Sequence, residues 1–293
     1  MIHILYNPKA SNGQGLNKTA ELKNLLADQA STFHNILEIE DVPAMIDALP
    51  EEDQIYLAGG DGTLNQFINL LGDYHVSRAL YLYGAGSGND FLHDVAGAGE
   101  LGPVQINEYI ENLPTVTVNE KTYRFINGIG YGIDGYCCEV GDAMQAKNPG
   151  KSVNYTAIAI KGLLFHYRPV NATITVDGES RTYRRVWLAP TMKGRYYGGG
   201  MMVAPGQDRK SADGKVTSVV MYGSGKLKTL AVFPSIFEGK HIAHKEMVEV
   251  REGHEITVAF DHPTALQVDG ETILGVTSYT VRAGVPAKVA EPV

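Results

Sequence analysis

The chain has no apolar run of about 18 residues, so nothing in it reads as a bilayer-spanning helix. It has two cysteines, Cys137 and Cys138, and they are neighbours. Adjacent cysteines seldom bridge each other, and two are too few for a disulfide framework or a cysteine-based zinc site. Both read as packing residues, and a reducing cytosol is the expected setting. Basic residues are in the minority, 25 Lys and Arg against 33 Asp and Glu, for a formal net charge of −8. That balance speaks against a general nucleic-acid binder and against docking on anionic membranes by charge alone. The opening stretch MIHILYNPKAS carries neither a basic leader nor a long apolar core, so no signal peptide is expected. No low-complexity linker and no internal repeat is visible.

What is present is a globular composition. With 293 residues and 44% hydrophobic content, the chain can fill one large or two medium domains. Glycine is abundant at 33 residues, many of them clustered in turns. The most telling cluster is Gly59-Gly60-Asp61-Gly62-Thr63, within QIYLAGGDGTLNQFINLL. Ile55–Ala58 reads as a buried strand. Leu64, Phe67, Ile68 and Leu71 fall on one face of a helix. A turn without side chains lets backbone N–H groups approach a ligand closely. A helix start there adds unpaired donors and a positive dipole end, which suits phosphate. The carboxylate of Asp61 beside such a site calls for a metal or a proton-acceptor role.

Strand and helix alternate through the first part: a strand over residues 1–6 ending in Asn7-Pro8, a small-residue loop over 11–15, a helix over 16–26, a second strand over 36–39 and a helix over 42–49. The glycine turn follows, then a strand over 79–83 leading into GAGSGNDF. This pattern predicts a parallel sheet with helices on both faces and a ligand at the carboxyl ends of the strands. After about residue 115 the texture changes to period-two alternation broken by Asp177-Gly178, Asp213-Gly214 and Asp269-Gly270. That half predicts a mainly antiparallel β-sandwich, with a helix over 153–165 as the exception. Asp177-Gly178-Glu179 reads as a plain hairpin. His241 and His244 share a helical face with no third ligand in reach, and read as surface residues.

The stretch GGDGTLNQFINLL, residues 59–71, resembles the signature of the diacylglycerol kinase catalytic-domain family, which includes bacterial soluble lipid kinases and the sphingosine and ceramide kinases. NAD kinases and phosphofructokinases carry related glycine loops, but the extension through Asn65 and Asn69 favours the lipid kinases. Asn7-Pro8, GSGNDF over 86–91, RYYGGGMMVAP over 195–205, Asp213-Gly214 and Asp269-Gly270-Glu271 are similar to further family segments and occur in the same order. The chain departs from the family pattern at Gln66, where Glu is usual, at Ser87, where Thr is usual, and at Lys193.

The resemblance implies an ATP-binding α/β domain over residues 1–115, joined by about 279–293, and a lipid-substrate β-sandwich over 116–278. It implies an ATP- and Mg²⁺-dependent kinase acting on a lipid hydroxyl, with diacylglycerol as the default acceptor, in a cytoplasmic protein that meets membranes transiently. ATP would meet Asn7, Gly59, Gly60, Asp61, Gly62, Thr63, Leu64, Asn65 and Ser87. Thr63 would cap the helix, and Asp61 would act through Mg²⁺. Asp269 would be the catalytic base, with Glu271 in its network. Lys210, Asp213 and Lys215 would hold a structural Mg²⁺ through one carboxylate and two carbonyls. A nucleotide kinase similar to the NAD kinases, and a silent lipid- or nucleotide-binding regulator, stand as alternatives. Asp269-Gly270, taken alone, is also a good hairpin turn.

Overall fold

The computed structural model describes residues 1–10, 15–26, 29–84, 89–97, 102–148 and 153–284. The first domain is a five-stranded sheet in the order β2-β1-β3-β4-β5. Its strands are β1 (Ile2–Tyr6), β2 (Ser31–Asn35), β3 (Gln54–Gly59), β4 (Leu80–Gly84) and β5 (Val104–Gln105). The first four run parallel and β5 is antiparallel to β4. Alternate residues of β3 serve opposite faces, as pleating requires. Tyr56 and Ala58 pack with Leu22 and Leu26, at and beyond the end of α1 (Gly15–Leu25), on one side. Ile55 and Leu57 pack with α2 (Val42–Asp47) and α3 (Asp61–Leu71) on the other. Two short helices, α4 (Asp90–Ala96) and α5 (Asn107–Ile110), complete this half.

The second strand does not lie over residues 36–39 as expected. It is Ser31–Asn35, a half-exposed edge strand whose polar composition hides it. Ile36–Glu38 form a 3₁₀ turn, with Asn35 accepting from the Leu37 amide and Ile36 buried as the anchor.

The second domain is built on a ten-stranded antiparallel sheet. Its later members are β14 (Val216–Met221), β15 (Val248–Gly253) and the two longest strands, β16 (Glu255–Val268) and β17 (Glu271–Arg282). Earlier come β6 (Thr115–Val118), β7 (Lys121–Arg124), β8 (Gly128–Tyr131), β9 (Val170–Val176), β10 (Glu179–Val186) and β11 (Thr191–Met192), and a separate two-stranded ribbon joins β12 (Tyr196–Tyr197) to β13 (Met201–Met202). β16 changes partner along its length, pairing with β9 over Ile256–Phe260 and with β8 over Leu266–Val268. That crossing folds the sheet around a core that includes Phe125, Tyr131, Leu266 and Tyr279. Tyr279–Arg282, which the resemblance would return to the first domain, are the end of β17 in this sheet, because their alternating buried residues complete its core. The rest of that expectation, from residue 285, lies outside the described residues.

A 15-residue helix, α6 (Ile133–Lys147), was not expected in this half. It contains two glycines that close packing demands. A Cβ on Gly135 would lie 1.9 Å from the Ala265 carbonyl oxygen, and one on Gly141 would lie 2.6 Å from the Tyr155 ring. The helix expected over 153–165 is α7 (Tyr155–Lys161), which widens into a π-helical turn over Gly162–His166. A last helix, α8 (Lys226–Val232), packs beside it. No helix among the described residues is long and apolar enough to cross a membrane.

Candidate active site

The order β2-β1-β3-β4 reverses direction between β1 and β3, so chain segments leaving these two strands part company there. Ligands of such sheets sit at that switch point, beyond the carboxyl ends of the strands. Asn7 and Gly60 lie on either side of it. Both line a cleft of about 1190 Å³ that runs from the first domain into the second. Gly60 is the N-cap of α3, and no side chain caps the helix. The amides at its start therefore keep no intrahelical acceptor.

Thr63 does not serve as the cap. It is buried, at the third helical position, with its side chain pressed over Gly59. A Cβ on Gly59 would lie 2.3 Å from that of Thr63, which explains the first glycine by packing. Gly62 differs, because a Cβ there would meet only Glu271 Oε1, at 4.0 Å. This is where the two domains face each other across the turn. Leu64 is fully buried in the first domain's core, so it offers the cleft no side chain. Ser87 lies outside the described residues.

Asn65 and Asn69 sit one helical turn apart and join the domains. Asn69 accepts from the Arg124 amide at 2.8 Å and donates to its carbonyl at 2.9 Å. Asn65 donates to Asp269 Oδ2 at 2.8 Å. Asn7 Nδ2 lies 3.4 Å from Gln66 Oε1, and both line the cleft, so Gln66 is more than a surface position.

Asp269 is 8% exposed and holds a positive φ of 46° in a two-residue turn with Gly270. The hairpin and the site therefore coincide. Each oxygen of Asp269 accepts two hydrogen bonds. Oδ2 takes Asn65 Nδ2 and the Ile126 amide at 2.7 Å, and Oδ1 takes the Asn127 and Gly128 amides, both at 2.9 Å. Burial pushes its pKa up, against these four donors, which favour the ionised form. With about four acceptor sites on a carboxylate, its capacity is filled. Asp269 can take a proton only by giving up a donor. Glu271, two residues on, is exposed, and its side chain forms no hydrogen bond among the described residues and faces Gly62.

Asp61 is committed to the adjoining loop. Its Oδ2 accepts from the Asp90 amide at 2.8 Å, and its Oδ1 from the Phe91 amide and Asn127 Nδ2, both at 3.0 Å. It thus holds the start of α4 and reaches the second domain, with one acceptor site left over on Oδ2. Asp90 accepts from the Gly199 and Gly200 amides at 2.8 and 2.6 Å. Residues 198–200 all have positive φ, so glycine is needed throughout that loop. Burial first, and the Asp61 carboxylate second, push the Asp90 pKa up to about 6.

The sequence reading missed three groups. Arg209 Nη2 donates to Asn127 Oδ1 at 2.6 Å and its Nε to Asp94, which also accepts from Arg195 Nε at 2.6 Å. This ion-pair cluster pins α4 to the second domain. Asp134, on the first turn of α6, accepts from Tyr197 Oη at 2.7 Å. Its Oδ1 has no partner among the described residues, and burial pushes its pKa up to about 6. Around it the cleft is apolar, lined by Ile133, Ala159, Leu188, Met201 and Phe233, with Cys137 and Cys138 adjoining. Local spacing gave no sign of Asp134, since Tyr197 and Leu188 arrive from far along the chain.

The expected structural metal set is less inviting. Asp213 is exposed, and Lys215 Nζ sits 2.8 Å from its Oδ2. Its Oδ1 accepts from Ser211 Oγ at 2.5 Å, and the Lys215 carbonyl accepts from Gln207 Nε2 at 3.1 Å. Lys210 Nζ pairs with Glu108 at 2.6 Å. A cation here would meet one carboxylate that already has an ammonium partner, and the described residues contain no cluster of three His, Cys, Asp or Glu suited to a metal. His241 is not a surface residue. It is fully buried, with Nε2 at 3.0 Å from the Val203 carbonyl, and burial pushes its pKa down to about 4. Asp177-Gly178 closes the β9–β10 hairpin as expected.

Two family models match. The one described as diacylglycerol kinase catalytic domain matches residues 1–120, and the one described as YegS C-terminal NAD kinase beta sandwich-like domain matches residues 127–290. The chain is 26% identical over 205 residues to a protein named diacylglycerol kinase from Mycobacterium tuberculosis, a match covering 68% of this chain and 64% of that protein. It is 22% identical over 240 residues to a candidate lipid kinase of Bacillus subtilis (strain 168), covering 77% and 76%. A solved structure of a candidate diacylglycerol kinase from Bacillus anthracis str. Sterne superposes with a TM-score of 0.65 at 17% identity, covering 96% of this chain and 91% of that one.

Proposed function

We propose a reaction for a chain that belongs to the diacylglycerol kinase catalytic-domain family: transfer of the γ-phosphate of ATP to a lipid hydroxyl inside the cleft, with Mg²⁺. One observation carries the reading. A single cleft joins an uncapped helix start at the sheet's switch point to an apolar chamber holding one buried, half-satisfied carboxylate. The first half suits nucleotide phosphates and the second suits a lipid with a hydroxyl to anchor.

The nucleotide half is assigned to residues up to about 115, and the acceptor half to those that follow. The phosphates take the amides at the start of α3, beside Gly62, with Asn7 and Gln66 along the edge. The remaining acceptor site of Asp61 suits Mg²⁺, which usually takes one or two carboxylates together with phosphate oxygens and water. When bound it would neutralise charge developing on the transferred group. The acyl chains lie against the apolar wall of the chamber, which Asp134 adjoins as a buried polar group.

The base moves from Asp269 to Glu271. Glu271 has open oxygens and faces the turn, and accepts the hydroxyl proton as oxygen attacks phosphorus. Asp269 positions it, by fixing the hairpin that carries Glu271 to the backbone of Ile126–Gly128 and to Asn65 of the other domain. Diacylglycerol is the default acceptor.

The test is incubation with γ-labelled ATP, Mg²⁺ and a panel of micellar lipid alcohols, with NAD alongside. Label entering a lipid supports the reading. Label entering NAD and no lipid overturns it.

A further inference from the structure

A second cavity, of about 230 Å³, lies against α6 on its other side. Tyr136 and Glu139 line it from one helical face, while Asp134, Cys138 and Gln145 line the cleft from the opposite face. The facing wall is the stem of the hairpin that carries Asp269 and Glu271, and that stem is bulged twice. Between the pairs Ala259–Ser278 and Thr264–Val276, four residues of β16 stand against Thr277 alone. Between Thr264–Val276 and Leu266–Ile273, Ala265 stands alone against Leu274 and Gly275, and Gly275 has a positive φ of 69°. Extra residues on first one strand and then the other bend the ribbon and interrupt its ladder. The hollow lies at this bend, beside the point where Gly135 packs on the Ala265 carbonyl.

The chemistry of the hollow is one-sided. Glu139 is its single charged side chain, and no Lys or Arg lines it. Glu139 is exposed and forms no ion pair or side-chain hydrogen bond among the described residues. Tyr136 and Tyr167 line the hollow too, with ring centroids 6.1 Å apart and planes inclined at 55°. Tyr167 is 6% exposed, and its hydroxyl has no hydrogen-bond partner among the described residues. Burial pushes both phenols up, so neither adds a negative charge. Leu274, largely exposed, supplies an apolar rim. A carboxylate beside two inclined tyrosine rings suits an alkylammonium, which is drawn by the charge and by ring faces within about 6 Å. An anion would meet only repulsion. A metal ion would find one carboxylate, and the described residues hold no cluster of three His, Cys, Asp or Glu suited to it. The volume fits a small molecule, since drug-sized ligands fill roughly 300 Å³ or more.

We infer that this hollow is a second binding site, for a free, small alkylammonium, and that an occupant braces the hairpin stem against α6. Leu274 and Glu271 lie three residues apart on β17, so what fixes the bulge also fixes the turn that sets Asp269 and Glu271 at the cleft. The site itself is independent of the kinase reading. Only its bearing on Glu271 as a base rests on that reading.

Choline is the probe, added to the full chain without nucleotide or lipid. Saturation-transfer NMR of its methyl protons follows binding up to about 50 mM, past the millimolar range expected of so small a ligand. The expected result is saturable binding that weakens at least about threefold in Glu139→Gln and about tenfold in Glu139→Lys. Glu139 is exposed, so both variants should melt as the wild type does. The uncharged analogue of choline, with carbon in place of nitrogen, should bind at least about tenfold more weakly. Phosphocholine carries the same ammonium as a lipid head group does, and should also bind more weakly, because its phosphate adds negative charge beside Glu139. Choline should slow amide hydrogen exchange over residues 266–276 by at least about threefold in the wild type and leave it unchanged in Glu139→Lys. No saturable binding, wild-type affinity in Glu139→Lys, or tighter binding of phosphocholine overturns the inference. So does binding that Asp142→Asn abolishes and Glu139→Lys leaves, since the ligand would then sit in the cleft. Binding with unchanged exchange overturns the bracing. If the kinase reading alone fails, choline still binds while no lipid takes label.

Discussion

Asp269→Asn should destabilise the whole molecule by about 2–4 kcal/mol, and the figure can be worked out from the four donors around this side chain. An asparagine has one acceptor oxygen and one NH₂ where the aspartate has two oxygens. If its oxygen faces the Asn127 and Gly128 amides, its NH₂ points at the Ile126 amide and at Asn65. Asn65 can turn its own amide to accept, but the Ile126 amide cannot move and is left buried and unpaired. An orphaned buried donor costs about 1–3 kcal/mol, and two charge-assisted bonds falling to neutral ones cost about another 1 kcal/mol each. Removing a buried charge offsets part of this, consistent with the upward push that burial exerts on the Asp269 pKa. The assay is urea unfolding followed by the single tryptophan, Trp187, which is 1% exposed in the second domain. Adding Asn65→Asp should return roughly 1 kcal/mol by restoring a carboxylate–amide pair across the domains. A single variant within about 0.5 kcal/mol of the wild type would refute the view that Asp269 organises the site.

Glu271→Gln should lower label transfer by roughly 10²–10⁴-fold while leaving ATP affinity and stability near the wild type, measured by initial rates and calorimetry. Turnover within threefold of the wild type would return the base to Asp269. Asp134→Asn tests the buried acid by pH. Its folded pKa of about 6 lies above the ordinary value, so the folded state favours its neutral form. Stability attributable to this group is therefore greatest below about pH 4, declines as pH rises to about 6, and stays low above that, a loss of order 3 kcal/mol. The asparagine keeps an acceptor for Tyr197 and carries no charge. It should be more stable than the wild type at pH 8, with the gap closing by pH 4.5. A gap that widens on acidification would refute the assignment.

The strand–turn–helix at residues 54–71 was legible because its physics is local: a buried run, a glycine turn and one apolar helical face. The two-domain division followed from a change of period. What escaped the sequence depends on distant partners. The helix α6 looks helix-poor because Gly135 and Gly141 answer to Ala265 and Tyr155. Asp134 reads as an ordinary first-turn acid until Tyr197 and an apolar wall close around it. Asp269 was found as a site residue by resemblance, but its four donors come from Asn65 and the segment Ile126–Gly128, which no spacing connects to it. In the proposed reaction its part therefore shifts from base to anchor. Asp61 shows the same limit, since the Asp90 and Phe91 amides and the Asn127 side chain claim most of its acceptor sites.

The central claim is that nucleotide phosphates sit at the start of α3, across from Glu271. Titration of Mg-ATP into the wild type and a Gly62→Val variant reaches it most directly. A Cβ at Gly62 meets nothing but Glu271 Oε1 at 4.0 Å, and valine is the better helix former of the two, so the fold should tolerate valine. The account predicts heat of binding for the wild type and none for a variant that melts normally. A Gly62→Val protein that binds Mg-ATP as the wild type does would contradict it.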